Sequence, residues 1–254
     1  MKIQKHIFTQ SQGMFQRAAE LIALWSEQTI RLSGFFTLVL SGGQTPRTLY
    51  DLLSGTSYRN RIDWKKVHLF WGDERFVSRD SPLSNYRMAF DSLISKIPIP
   101  HENIHPIPGR VEADSPEHSA ILYEENIKAF FHSAIGDAGI PAFDAILLGI
   151  GNDGHTASLY PGSRALEETR RLVIPVEAPP DAPAKQRITL SLPAINNASN
   201  VMFLVSGAGK ARILKKIITE SEGENATYPA SMVKPQKGLH LMTDIDVVTD
   251  IDEY

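Results

Sequence analysis

Cysteine is absent from all 254 residues of the chain. Disulfide bridges and thiolate chemistry are therefore excluded, and any metal would have to rest on histidine and carboxylate ligands. A strong charge of either sign is also missing, because 26 basic against 29 acidic residues leave a formal net charge of −3. Nothing in that balance draws the chain to nucleic acid or to an anionic membrane, so an anion must be gripped by a local site. No apolar run approaches the ~18 residues of a membrane span, and the opening MKIQKHIFTQSQGMF holds no sustained apolar segment of the signal-peptide kind. We therefore expect a cytoplasmic protein with neither nucleic acid nor membrane as a partner. Internal repeats and low-complexity segments are lacking too.

What the chain does have is 42% apolar residues, ample for one continuous core, and we read 1–254 as a single domain. Residues 2–8 read as a short edge strand. Met14, Ala18, Leu21, Ile22 and Trp25 then recur at helical spacing, on a helix that ends near Gly34. Segments 35–40, 67–72, 143–150 and 200–206 are apolar runs of the length expected for buried parallel strands. Segments 172–176 and 187–192 and the closing GLHLMTDIDVV supply further strands. Helical spacing returns after Pro46, after Ser84, at Tyr123, Ile127, Phe130, Phe131 and Ala134, and at Ala211, Leu214, Ile217 and Ile218. Gly136 and Gly139 stop the third of these. Residues 95–116, rich in proline, form a long connection, and His101, His105, His118 and His132 are expected at the surface. Repeated strand, turn and helix argue for an α/β fold with a doubly wound, mostly parallel sheet.

Chemistry concentrates where strands end. Strand 143–150 runs into Gly149, Gly151 and Gly154, with Asn152, Asp153 and His155 among them. Ligands of open α/β sheets bind at such carboxyl ends. The string 149–154 also reads G-x-G-x-x-G, with Glu177 further on, but Pro161 and Gly162 leave no room for the helix that a dinucleotide site needs. Strand 35–40 leads into Ser41, Gly42 and Gly43, with Thr45 placed to cap a helix that carries Pro46 in its first turn. Glycines at a helix start form a cradle for an anion, because unpaired N–H groups and the helix dipole meet there. Strand 67–72 delivers Asp73, Glu74 and Arg75, of which not all can face one ligand. Asn85 and Arg87 open the next helix toward the cleft. Arg187 begins a strand beside the loop 177–186, which could fold over the site. Lys210 stands in a first helical turn where a cation is disfavoured, which suggests an anionic partner.

Taken at full length, GxGxDGHTASLYPG resembles the signature of the 6-phosphogluconolactonase family, GxGxDGHTASLFPG, and departs from it mainly at Tyr160. LSGGQTP at 40–46, FWGDER at 70–75, SNYRMA at 84–89, RITLSLPAI at 187–195 and SGAGKA at 206–211 carry the resemblance along nearly the whole chain. It implies the Rossmann-like fold shared with glucosamine-6-phosphate deaminase, and hydrolysis of a phosphosugar lactone without cofactor or metal by a monomer or weak homo-oligomer. His155 would be the general base on water, Asp153 would orient it, and Arg75 would stabilise the oxyanion. Ser41, Gly42, Gly43, Thr45, Asn85, Gly151, Asn152, Arg187 and Lys210 would hold sugar and phosphate. Asp73 stands where the deaminases keep a carboxylate base. An amino-sugar phosphate deaminase is the near alternative. Its pattern has a glutamate at the place of Tyr160 and a tyrosine at the place of Arg75, so both departures favour a lactonase. A non-catalytic sugar-phosphate sensor is the more distant one, although no helix-turn-helix segment with a basic face accompanies the domain.

Overall fold

The computed structural model describes residues 3–136, 141–221 and 226–244. The predicted helix stop at Gly139, residue 2 of the first strand and the last residues of the closing strand lie outside them. In chain order the elements are β1 Gln4–Phe8, α1 Ser11–Ser33, β2 Phe36–Leu40, α2 Gln44–Leu53, α3 Thr56–Arg59, β3 Val67–Trp71, β4 Asp73–Arg75, α4 Asn85–Ser92, α5 Pro116–Ile135, β5 Ala145–Leu148, β6 Val173–Glu177, β7 Gln186–Leu190, α6 Leu192–Asn196, β8 Asn200–Val205, α7 Ala211–Ser221 and β9 Gly238–Asp244. Six strands form a wholly parallel sheet in the order β1-β9-β8-β5-β2-β3. Every residue of β2 and of β5 is buried, which explains their unbroken apolar composition. Helix α1 packs on β1, β2 and β9 and against α2, and α2 in turn packs on α4. The fold is doubly wound α/β.

Asp144, the acidic interruption just before β5, has a structural task. Its carboxylate accepts the Thr37 N–H at 2.8 Å and the Thr37 hydroxyl at 2.7 Å, and its own N–H donates to the Thr37 hydroxyl at 2.8 Å. This clip fixes the register of β2 on β5, where Leu38 stands beside Ala145. Burial pushes the Asp144 carboxyl up, against the pull of the Thr37 donors.

A second sheet was not anticipated. Strands β4, β7 and β6 pair antiparallel in that order, where the strand, turn and helix repeat predicts one mostly parallel sheet. Gly72 joins the two sheets: its N–H donates to Leu40 O at 2.9 Å and its carbonyl accepts the Leu190 N–H at 2.8 Å. The small sheet therefore stands on the carboxyl ends of the large one, and α5 packs against β6 and β7. His105 is a second correction. It is half-buried and stacked flat on Phe70 at 4.4 Å, with Nε2 3.1 Å from His68 Nδ1. Burial and the neighbouring His68 lower it to about 4. The other three histidines of that group are exposed.

Two tyrosine hydroxyls finish the ends of β2 and β3. Tyr50 Oη accepts the Ser41 N–H and donates to Ser41 O, both at 2.9 Å. Tyr123 Oη likewise accepts the Trp71 N–H at 2.8 Å and donates to Trp71 O at 3.1 Å. Each satisfies two backbone groups at a point where the sheet ladder ends, and burial pushes both phenols up. Tyr123→Phe leaves the Trp71 pair unmatched in the core and should cost about 1–3 kcal/mol in urea unfolding, with the denaturant slope unchanged.

Candidate active site

From β2 the chain moves outward to β3, then returns to β5 on the other side of β2 and continues to β8 and β9. The carboxyl ends of β2 and β5 therefore open a crevice, as expected where strand order reverses. A cavity of about 660 Å³ occupies it. Its walls are Ser41–Gly43 after β2, Asp73 and Arg75 on β4, Asn85 on α4, the 149–155 turn after β5, Arg187 on β7 and Lys210 after β8. Of the residues expected in the site, all but Thr45 and Arg87 line it.

Thr45 departs from expectation for a backbone reason. Gly43, at φ 107°, is the N-cap of α2 and makes no side-chain cap bond, so Thr45 falls inside the first turn instead of capping it. Arg87 also lies elsewhere, paired with Asp91 on the exposed side of α4 at 2.9 Å. Gly42 lets the cradle close on α4, since an added Cβ would overlap the Asn85 carboxamide.

The turn after β5 is built around His155. Gly151 N–H donates to His155 O at 2.8 Å, Gly154 N–H to Gly151 O at 3.0 Å, and the Thr156 hydroxyl to Gly149 O at 2.9 Å. No helix follows the glycines; a bridge from Thr156 to Leu159 turns the chain back, and the next helical turn is Arg164–Glu167. His155 Nδ1 lies 2.6 Å from Asp153 Oδ1, which also accepts the His155 N–H at 3.2 Å. Burial alone pushes the Asp153 carboxyl up, but the His155 N–H and imidazole outweigh it and hold the group below the usual range. Tyr160 packs its ring against the imidazole at 4.8 Å. Gly154 adopts φ 83°, and any Cβ there would meet the ring of Tyr228.

Asp73 lies on the cavity floor, 6% exposed. Its Oδ2 accepts the Ser158 hydroxyl at 2.5 Å and lies 3.9 Å from Arg187 Nη1, and Asn85 Nδ2 donates to its carbonyl at 2.9 Å. Arg187, 8% exposed, also donates from Nε to Ala184 O at 3.2 Å. Arg75 stands directly opposite Arg187 in the β4–β7 register. Both line the cavity, Arg75 with Nη1 donating to Leu83 O at 2.5 Å, and so form a positive wall suited to an anion. Lys210 Nζ donates to Ile150 O at 2.8 Å; burial lowers its ammonium, against the pull of Asp153. The 177–186 loop closes one side through Pro179, Asp181, Ala182 and Pro183. Asp181, Ser158 and the Tyr50 clip were missed in the sequence, where each looks like an ordinary loop or core residue. Among the described residues, no group of three or more His, Asp or Glu side chains is arranged to hold a metal ion, and no helix is long and apolar enough to cross a membrane.

These features define a sugar-phosphate enzyme site on a Rossmann-like sheet, and the matches agree. The family model described as glucosamine-6-phosphate isomerases/6-phosphogluconolactonase matches residues 9–242, so the chain belongs to that family. It is 39% identical to a 6-phosphogluconolactonase of Synechocystis sp. and 37% identical to one of Nostoc sp., in each case over 96% of both chains. The solved 6-phosphogluconolactonase of Trypanosoma brucei superposes with a TM-score of 0.83 at 27% identity, over 98% of this chain and 99% of that one.

The cradle after β2 and the support of the His155 turn yield two expectations. Gly42→Ala should displace Asn85 and raise the KM for a phosphosugar substrate about tenfold, as read in steady-state kinetics. The second concerns Glu220, which binds the Thr227 and Tyr228 N–H groups and the Thr227 and Ser231 hydroxyls, and so holds Tyr228 beneath Gly154. Slight burial pushes Glu220 up, but these donors bring it down from 4.5 to about 2. A lowered acid stabilises the fold above its unfolded pKa and loses that contribution as pH falls through its folded one. Melting temperature should thus drop between pH 4.5 and about 2, and Glu220→Gln should flatten that part of the curve.

Proposed function

We propose that this chain is a single-domain lactonase that hydrolyses 6-phospho-D-glucono-1,5-lactone to 6-phospho-D-gluconate in the oxidative pentose phosphate pathway, with His155 as general base. The observation that carries the reading is the His155–Asp153 pair at 2.6 Å on a glycine turn beside the Arg75–Arg187 wall. With Nδ1 held by Asp153, Nε2 is the nitrogen left for a water. Nε2 takes a proton as the water oxygen bonds to the lactone carbonyl carbon. The carbonyl becomes an oxyanion, which Arg75 stabilises. Collapse breaks the bond to the ring oxygen, which receives the proton from the imidazolium, and the new acid releases its own proton to solvent.

Asp153 supports the charged imidazole in the middle of this sequence, as its lowered carboxyl pKa suits. Ser41, Gly42, Gly43, Asn85, Gly151, Asn152, Arg187 and Lys210 hold the sugar and its phosphate, and Asp73 orders Arg187 and Asn85 beneath them. No redox cofactor or metal enters the chemistry. The names of the relatives support the lactone as substrate. A cytoplasmic monomer or weak homo-oligomer without a nucleic-acid or membrane partner fits the balanced charge and the absence of cysteine.

The test generates the lactone in situ and follows its loss above the spontaneous rate. Wild type should accelerate it, and His155→Ala should lose about 10²–10⁴-fold of that acceleration. Equal acceleration by both proteins removes His155 from the mechanism. Acceleration by neither, with phosphosugar binding intact, leaves only the sensor.

A further inference from the structure

Glu74 lies between two cavity residues, yet alternation along β4 turns its side chain away from the cavity. Although only 4% exposed, it is fully bonded. Oε1 accepts the N–H groups of Arg75 and Asn85, each at 2.8 Å. Oε2 accepts the Tyr86 N–H at 2.8 Å and the Ser84 hydroxyl at 3.0 Å. Helix α4 begins at Asn85, so two of these donors are its first N–H groups, which no carbonyl of the helix can reach. Ser84 serves the third, accepting the Arg87 N–H at 3.2 Å. A carboxylate is matched to that end of a helix. Burial pushes Glu74 up, and its donors act in the opposite direction.

The bonds of Glu74 reach the cavity through its neighbours. Asn85, held by its own N–H, sends Nδ2 to Asp73 O and fills the space above Gly42. One buried carboxylate thus fixes β4 against the start of α4, and with them the spacing of Asp73, Arg75, Asn85 and the glycine cradle.

We propose that Glu74 is a positioning residue of the phosphosugar site, holding Asn85 and strand β4 in binding geometry through the amino end of α4. The substrate named here rests on the lactonase reading above; the geometry does not. A glutamine in its place would bring N–H donors to a site already made of donors. The backbone at Asn85 would then have to shift.

Wild type, Glu74→Gln, Asn85→Ala and the double variant are compared in lactone kinetics and, separately, in calorimetric binding of 6-phosphogluconate. Glu74→Gln should raise KM and Kd about tenfold and lower kcat far less. The double variant should lose clearly less than the two single losses combined, because part of what Glu74 holds acts through Asn85. Additive losses, or an unchanged Kd in a natively folded Glu74→Gln protein, overturn the proposal. Should Glu74→Gln fail to fold, Ser84→Ala removes one of the four donors; it should raise Kd in the same sense by a smaller factor, and an unchanged Kd again overturns the proposal. A wild type that binds 6-phosphogluconate without turnover defeats the lactonase reading alone, since the binding comparison stands without catalysis.

Discussion

The site depends on β2 and β5 being neighbours whose chains leave in opposite directions. Parallel strands at such a point cannot cover each other's carboxyl ends with their own connections, so a crevice opens between them. The Thr37–Asp144 clip at the opposite ends of these strands sets their register, and so sets where Ser41 and Gly149 emerge relative to each other. A slip of one residue would turn every side chain of β5 to the other face and carry the His155 turn with it.

Around that crevice the protein solves one recurring problem, the backbone polar groups stranded where ladders stop. At Ser41 and Trp71 a tyrosine hydroxyl supplies both a donor and an acceptor. At the start of α4 a buried carboxylate serves donors alone. Gly72 passes the ladder from the large sheet to the small one. Each device is rigid because its groups are buried and fully paired, and together they hold the side chains that face the cavity.

Much of this was readable along the chain. Central strands buried on both faces are apolar runs, and glycine clusters mark their ends, so the parallel sheet and the two main cradle segments stood out. The small sheet did not, because pairing partners leave no mark in a strand: β7 alternates like any half-buried segment, and β4 is only Asp73–Arg75. His105 looked solvated because the rings that enclose it, Phe70 and Phe130, come from β3 and α5. Tyr50 and Tyr123 sat at helical apolar positions, where a hydroxyl that serves a distant strand is indistinguishable from core. Thr45 stands two positions past the N-cap, because the positive φ of Gly43 lets α2 begin earlier than side-chain capping rules assume.

The cationic lining supplied by Arg75 and Arg187 also bears on the life of the protein outside catalysis. A dianion bound against them stabilises only the folded chain, so occupancy and folding are thermodynamically linked. The folded chain becomes harder to open, and a poorer target for proteolysis, in proportion to the phosphosugar around it.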